Sequence, residues 1–383
     1  MKKLSIFIAL IISIIFLTGC WDYSEIEDLA IVAGMAIDID ANGSYIINVE
    51  IVDIKPTTTG IDLAPIIIET RGETVFEALR NIISTSLKRI RWSHASYVVV
   101  SKEVAEQGLS SLLDWIARHP EARLTLHILI SRENTAKEVI LKEKEFSKIR
   151  ALEFEKFVDS SEYLSKFPHV EVYELINKIE NKDNYPILPT TNLININNEV
   201  YSQMEGSAYF IKDKLAGFFD PMETMKYLLI VNKLKKGVLV IPMNEENNDK
   251  VSLDILKNNT KIDIDFKDEN VLITVKTNTV VSIAEVRDGR NYSNIKGRKL
   301  LQEHAEAYLE NEIKTFIQNV QEDPGIDVFS FGDKIKKNHP KIWKDIEDNW
   351  DSIFKELNVK VISNIQIRNS EHIKRPISVN NQK

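Results

Sequence analysis

The chain has 383 residues and a formal charge of −8, with 43% hydrophobic and 28% charged residues. This length favours two or three domains, and the composition is typical of folded domains rather than collagen-like or low-complexity chains. The negative charge disfavours nucleic acid and broad adhesion to anionic lipid, since both need clustered Lys and Arg. The single cysteine excludes an intramolecular disulfide bond and a cysteine-based zinc finger.

Residues 1–19 have the pattern of a cleaved signal peptide. Lys2 and Lys3 precede the apolar run LSIFIALIISIIFL, and acidic residues follow from Asp22 onwards. This run is shorter than the roughly 20 apolar residues that a spanning helix needs. The pattern therefore predicts a signal peptide and not a membrane-spanning helix.

The signal ends in LTGC, the lipobox pattern of bacterial lipoproteins, and Cys20 is the only cysteine in the chain. We expect the Cys20 sulfur to carry diacylglycerol through a thioether, with an N-acyl lipid on the same residue. More than one acyl chain gives stable anchoring, whereas a single one binds marginally. The alternative is an ordinary secretory signal with a chance cysteine. Trp21 and Tyr23 follow, and either lie at the membrane interface or pack on the first strand.

Strands and helices alternate through the first half. We predict a hairpin of strands over 29–54 with a turn at Asn42-Gly43, a loop at 55–65, a helix capped by Thr74 and Glu77, and strands at 95–101 and 123–131. Further helices are predicted at 103–118 and 135–145, the latter capped by Asn134. Phe76, Leu79, Ile82, Ile83 and Leu87 form an apolar stripe on the first helix. This order predicts an α/β or α+β domain with right-handed crossovers.

The stretch 181–199 is rich in Asn and Pro and indicates a domain boundary. We predict an N-terminal domain over 20–190, a linker at 191–200, a C-terminal α+β domain of one or two subdomains over 201–375, and a frayed tail at 376–383.

The second half begins with two short strands and a helix. Asp220 and Glu223 have the spacing of a helix N-terminus with Pro221 between them, and Gly237 is expected to end that helix. A β-rich run, a long helix over 298–321, a helical region over 327–357 and a final strand follow. The fold class is therefore mixed α/β or α+β, multidomain, with two or three mixed-sheet domains.

Motifs of enzymes are missing from the sequence. It contains no phosphate-binding loop, dinucleotide fingerprint, nucleophile elbow or H-E-x-x-H pair. His304 and Glu306 resemble the H-x-E of zinc deaminases, but the two cysteine ligands are lacking. His119 and His127 could form a metal pair, although a helix end beside His119 is favoured, and His94 is expected to hydrogen-bond within a turn. We therefore predict no catalytic or metal site.

Three further groups have a structural and a functional interpretation. The acidic residues Glu303, Glu306, Glu310 and Glu312 are interpreted as a solvated helix face. Lys88, Arg89 and Arg91 in LKRIRW form the densest positive cluster, which could contact lipid headgroups or an acidic partner; a polar helix end is the alternative. Trp343 and Trp350 are two helical turns apart and face one way, which favours a place in the core.

Several stretches resemble the C-subunit lipoproteins of spore germinant receptors, the Ger(x)C family. The start matches at Cys20, Trp21, Asp22, Glu25, Ile26 and Leu29 to Val32. GETVFEALRNIISTSLKRIRWSHASYVVVS and GSAYFIKDKLAGFFDPMETMKYLLI are similar to its N-terminal domain and to the opening of its C-terminal domain. The chain departs from the family pattern at Phe218-Phe219 and after Arg368.

The resemblance implies a non-enzymatic lipoprotein on the outer face of the spore inner membrane, needed for nutrient-triggered germination. Its partners would be a permease-like B subunit and a large multispanning A subunit, and no cofactor is implied beyond the lipid on Cys20. The alternative is an extracytoplasmic substrate-binding lipoprotein of a transporter. That class expects two similar doubly wound lobes with a ligand cleft between them.

Overall fold

A computed structural model describes residues 29–57, 60–86, 88–141, 147–180, 185–244, 249–267, 270–287 and 289–368. The chain forms two mixed β-sheets, of nine and four strands, with helices packed on both. The predicted mixed, multidomain α+β class is confirmed.

The first sheet and its helices comprise, in chain order, β1 (Leu29–Ile39), β2 (Tyr45–Thr57), β3 (Gly60–Gly72), α1 (Val75–Asn81), α2 (Ile83–Ser86), β4 (Arg89–Arg91), β5 (Tyr97–Val100), α3 (Lys102–Gln107), α4 (Ser110–Arg118), β6 (His127–Ser131), α5 (Ala136–Leu141), α6 (Arg150–Leu164), α7 (Val172–Glu180), β7 (Ile187–Ile196), β8 (Glu199–Ile211) and β9 (Lys214–Phe219). The second part comprises α8 (Pro221–Ile230), β10 (Gly237–Asn244), β11 (Asp249–Lys267), β12 (Asn270–Val286), α9 (Ile295–Glu322), α10 (Phe331–Asn338), α11 (Pro340–Ile346), α12 (Trp350–Glu356) and β13 (Asn358–Arg368).

The first sheet has the strand order β3-β2-β1-β5-β6-β7-β8-β9, and β4 pairs with the start of β1. Strands β1, β5, β6 and β7 are parallel, while both ends of the sheet are antiparallel. Helices α1, α3, α4 and α7 cover one face, and α5 and α6 cover the other. Burial on both faces explains why the central strand β5 is continuously apolar.

The linker predicted at 191–200 is instead a β-hairpin. Strands β7 and β8 pair up to Ile196 and Glu199, so that only Asn197 and Asn198 form the turn. Both have positive φ, 53° and 68°, which Asn tolerates and a two-residue hairpin turn requires. Asparagine here therefore marks a tight turn inside one sheet. Strands β8 and β9, which we assigned to the C-terminal domain, complete the first sheet.

Two other local predictions were wrong. Much of the loop predicted at 55–65 is an edge hairpin, because β2 and β3 pair to Thr57 and Gly60; backbone pairing does not require apolar side chains. Gly237 begins β10 and does not end α8. That helix ends at Ile230, and the chain turns at Asn232 in the left-handed region.

Helix N-termini were predicted well where the cap is local. Thr74 accepts the N–H of Glu77, and Asp220 forms a complete capping box with Glu223. The prediction of Asn134 as a cap was wrong by one residue. Thr135 Oγ1 accepts the N–H of Glu138 at 3.3 Å.

Two helices are also capped by acidic side chains of the sheet. Asp38 on β1 accepts the backbone N–H groups of Ala136 and Lys137 at 2.6 and 3.0 Å. Glu50 on β2 accepts those of Arg150 and Ala151 at 2.7 and 3.1 Å. The positive end of a helix dipole stabilises a carboxylate placed there. These contacts fix α5 and α6 onto the same face of the sheet.

The second sheet has the order β10-β11-β12-β13 and packs against α8 and the long helix α9. Trp343 on α11 and Trp350 on α12 are 2% and 3% exposed, and their ring centroids lie 5.5 Å apart. Their predicted place in the core is confirmed, although a 3-10 turn at Glu347–Asn349 divides the helix that we predicted.

Candidate functional site: the surface beside the start of β1

The predicted site residues Cys20, Trp21 and Tyr23 lie outside the described residues. The described chain begins at Leu29, the first residue of β1, nine positions after Cys20. Nine residues span at most about 30 Å when fully extended. A lipid on Cys20 would therefore hold the start of β1 within about 30 Å of the bilayer.

A short positive strand lies next to this entry point. Strand β4 runs parallel to the start of β1, with Arg89 opposite Leu29 and Arg91 opposite Ile31. Lys88 and Arg89 are exposed, whereas Arg91 is half-buried. The densest positive cluster of the sequence therefore lies beside the residue at which the N-terminal segment joins the folded body.

The cluster borders a cavity of about 340 Å³ between α1, β4 and α4. Its floor contains Trp92 and Trp115, which are nearly buried and meet edge to face with ring centroids 4.9 Å apart. His119 packs against Trp115 at 5.3 Å. Burial lowers the pKa of His119 from its usual value, so this ring is neutral at pH 7. The predicted helix end beside His119 is confirmed, because α4 ends at Arg118.

An ion pair fixes β4 against the α4–β6 connection. Arg91 Nη1 lies 2.6 Å from Glu121 Oε1, and Trp92 donates its backbone N–H to Glu121 Oε2 at 3.1 Å. Burial alone would raise the pKa of Glu121, but the bonds from Trp92 and Arg91 outweigh it and lower the pKa. Glu121 therefore stays ionised at neutral pH.

Exposed apolar side chains accompany the cations. Phe76 is 56% exposed and Ile83 is 50% exposed, although both belong to the apolar stripe that we predicted on the first helix. The buried residues of α1 are Val75, Ala78 and Leu79, so Phe76 lies beside the buried face of this helix. Ile83 lies beyond the end of α1 at Asn81, so the helical spacing does not continue to it. Arg80 lies over the Phe76 ring at 5.4 Å. We call Phe76, Arg80, Ile83, Lys88 and Arg89 the α1–β4 surface.

The α1–β4 surface carries a local net positive charge, whereas the protein as a whole is negatively charged. The residues that line its cavity include three cations, Arg80, Lys88 and Arg89, against one carboxylate, Glu121. Cations beside exposed aromatic and aliphatic side chains are the combination with which proteins bind anionic membrane surfaces. The sequence signal for the cations was the LKRIRW cluster. Nothing in the sequence showed that Phe76 and Ile83 would join it.

The acidic residues of α9 have structural partners. Glu306 and Glu310 accept the backbone N–H groups of Ile365 and Ser363 on β13, both at 2.8 Å. His304 Nε2 lies 2.8 Å from the carbonyl oxygen of Pro242. Glu306 and Glu310 therefore connect the helix to the sheet. From the sequence we had interpreted these glutamates only as part of a solvated helix face.

The two histidines considered as a metal pair have different neighbours. His119 lies against the tryptophans, while His127 lies beside His169 and Glu171. We did not single out His169 or Glu171 from the sequence, because 42 positions separate His169 from His127. His94 is exposed at a turn.

Comparisons with known proteins identify the family. Residues 22–193 match the "Spore germination protein N-terminal domain", and residues 205–371 match the "Spore germination B3/ GerAC like, C-terminal" domain. This chain belongs to the spore germination GerAC-like family. The boundary between the two matches falls within the β7–β8 hairpin.

Members of this GerAC-like family match along nearly the whole chain. Spore germination protein KC of Bacillus subtilis (strain 168) is 24% identical and covers 98% of each chain. Spore germination protein B3 of the same organism is 22% identical over 96% of this chain and 98% of its own. The crystal structure of the GerBC protein superposes with a TM-score of 0.58 at 16% identity, covering 90% of this chain and all of that one. Within the described ranges, no helix is both long and apolar enough to cross a membrane.

Proposed function

We propose that this chain is the lipid-anchored, non-enzymatic subunit of a nutrient germinant receptor on the outer face of the spore inner membrane. The observation that carries the proposal is the match of both halves to spore germination domains, downstream of a lipobox that ends at Cys20. Its partners are the permease-like B subunit and the large multispanning A subunit that the family resemblance implies.

The side chains that came nearest to a catalytic motif have structural contacts. The histidine and carboxylates that came nearest to a catalytic motif, His304, Glu306 and Glu310, are engaged with backbone groups of β10 and β13. The alternative of a substrate-binding lipoprotein is less well supported. It expects two similar lobes, whereas the two sheets here have nine and four strands with different topology.

In this proposal the lipid anchor acts by raising the local concentration of the folded body near its membrane partners. A lipid on Cys20 holds the start of β1 within about 30 Å of the bilayer, which raises the effective concentration of the folded body toward membrane partners without adding contacts. Weak docking surfaces can then assemble a stable complex.

Spores that carry Cys20→Ala are expected to lose the response to nutrients, because the body leaves the membrane while its fold is unaffected. Metabolic lipid labelling, membrane fractionation and nutrient germination measure this. A matched control joins the Cys20→Ala chain to an unrelated membrane-spanning segment, and it should restore germination without lipid label. Spores with Cys20→Ala that germinate on nutrients like wild type would contradict the proposal.

In this proposal the α1–β4 surface faces the anionic bilayer. The pairing of Arg89 with Leu29 at the start of β1 supports this orientation, and each Lys or Arg near an anionic membrane contributes about 1 kcal/mol. Phe76 and Ile83 add apolar contact at the headgroup boundary. The net negative charge elsewhere would orient the remaining surface away from the lipid.

Hydrogen–deuterium exchange of the lipidated protein on vesicles tests this orientation. Segment 75–91 should exchange several-fold more slowly on anionic than on zwitterionic vesicles. We expect the double variant Lys88→Glu/Arg89→Glu to remove this protection. Lys341→Glu/Lys344→Glu on α11 makes the same charge change at exposed positions elsewhere and should retain it. Equal exchange on both lipids would show that this surface does not face the bilayer.

A further inference from the structure

Three side chains with metal-binding atoms converge beside the start of β6. One ring nitrogen each of His127 and His169 and a carboxylate oxygen of Glu171 lie within 4.8 Å of one another. The two imidazole centroids are 4.9 Å apart, and His127 faces Glu171 across an isolated antiparallel β-bridge. The cluster lies outside the α1–β4 surface and has no part in the proposed anchoring.

The backbone fixes the tautomer of His127. Its Nδ1 lies 3.1 Å from the carbonyl oxygen of Val170. Because a carbonyl oxygen can only accept, Nδ1 carries the proton, and the lone pair of the neutral ring is on Nε2. Histidines that bind metals usually donate their other N–H to a carbonyl in this way.

The two segments that carry these residues are held together by the backbone. The N–H groups of Val172 and Tyr173 donate to the carbonyl oxygens of Leu126 and Leu124 at 3.1 and 3.0 Å. Ligands around a tetrahedral zinc ion lie about 3.4 Å apart, given a metal–ligand distance of about 2.1 Å. His169 is exposed, so rotation of its side chain can close the remaining gap.

We propose that His127, His169 and Glu171 bind a zinc ion, with a water molecule in the fourth position. Two imidazoles and one carboxylate are a donor set of open zinc sites, whereas Ca²⁺ and Mg²⁺ prefer oxygen ligands alone. His169 also lines a cavity of about 300 Å³, which gives water access to the fourth position. The bound ion joins the start of β6 to the segment before α7, and therefore stabilises the folded body.

Calorimetric titration with zinc chloride tests the site, using the full-length lipoprotein in detergent with an affinity tag that lacks histidine. We expect one zinc ion per chain and a rise in the melting temperature on binding. Replacement of zinc by Co²⁺ should give the intense visible absorption of a tetrahedral or five-coordinate site. In His169→Ala and Glu171→Gln the dissociation constant should rise at least about 100-fold, since outer-shell partners alone contribute about 10–100-fold.

His94→Ala is the matched control, because His94 is also exposed and lies outside the cluster. Its zinc affinity should equal that of wild type. Circular dichroism of the metal-free variants shows that they fold, so that lost affinity reports the site. A wild-type chain without saturable zinc binding would overturn the proposal. So would unchanged affinity in the double variant His169→Ala/Glu171→Gln.

Discussion

Replacement of Glu50 by alanine is expected to lower the free energy of unfolding by about 3–5 kcal/mol, the loss typical of breaking a buried charged network. Glu50 is fully buried and accepts hydrogen bonds from the Tyr97 hydroxyl at 2.9 Å and from the N–H groups of Arg150 and Ala151. Alanine leaves all three donors without their acceptor. Each buried unsatisfied donor costs about 1–3 kcal/mol.

The loss extends to the neighbouring charges. Arg150 is also fully buried, and its guanidinium bonds the carboxylate of Glu153 and the hydroxyl of Ser202. Removing Glu50 leaves the buried Arg150 guanidinium with one fewer negative charge nearby. Burial first, and then Glu50, raise the pKa of Tyr97 well above its usual value. Tyr97 therefore stays a neutral donor at neutral pH.

Urea unfolding followed by circular dichroism measures the change. The isosteric variant Glu50→Gln should lose less stability than Glu50→Ala, because its amide oxygen still accepts hydrogen bonds. Some loss remains, because its amide NH₂ then faces a backbone N–H, and both groups are donors. Glu285→Ala, at an exposed strand position, is the control and should stay within about 0.5 kcal/mol of wild type. If Glu50→Ala were as mild as this control, the buried network would have no net stabilising role.

The variant Asp327→Asn is expected to be more stable relative to wild type at pH 7 than at pH 4, by about 3 kcal/mol. This magnitude follows from a difference of about 2 units between the folded and unfolded pKa values of Asp327. Asp327 is 1% exposed. One carboxylate oxygen, Oδ2, accepts the N–H of Gly332 at 2.7 Å and the indole N–H of Trp350 at 3.1 Å. The other, Oδ1, has no hydrogen-bond partner within the described part of the chain. Burial raises the pKa of Asp327 to about 6.

The direction of the pH dependence follows from proton binding. Between about pH 4 and pH 6 the folded state retains a proton that the unfolded state, with its ordinary aspartate pKa, has lost. The contribution of Asp327 to the stability of the wild type therefore falls through this interval and is constant above it. In the Asn variant the amide oxygen keeps both hydrogen bonds and no charge is buried, so this part of the fall disappears.

Urea unfolding at pH 4, 5, 6 and 7.5, followed by tryptophan fluorescence, measures the difference between variant and wild type. The difference removes the contribution of every other titrating group. Asp345→Asn changes an exposed aspartate on α11 and should follow the wild-type profile. A parallel pH dependence in Asp327→Asn and wild type would show that Asp327 is ionised in the folded state throughout.

Local spacing explains the predictions that the structure confirmed. A capping side chain and the N–H that it satisfies lie within three residues, as for Thr74 with Glu77 and Asp220 with Glu223. A long amphipathic helix repeats its apolar spacing many times, so the predicted 298–321 agrees with Ile295–Glu322. Such features depend on neighbours along the chain, and the sequence displays those neighbours directly.

The Asn-rich stretch shows where composition was a poor guide. Asn and Pro are common in linkers and in tight turns alike, and only the pairing of β7 with β8 decides between them. The same holds for Phe76 and Ile83. The exposure of Phe76 depends on which face of α1 packs on the sheet, and that of Ile83 on where α1 ends. An apolar stripe in the sequence reveals neither.

The sequence alone determined the signal-like leader with its single Cys20, the helix caps and the mixed α+β class, because each depends on a few adjacent residues or on composition. Tertiary structure alone decided that Glu50 caps a helix 100 residues later. It also brought His127 to His169 and Glu171, and a positive strand to the start of β1. These contacts join segments far apart in the chain, and only the packing of the whole sheet selects them.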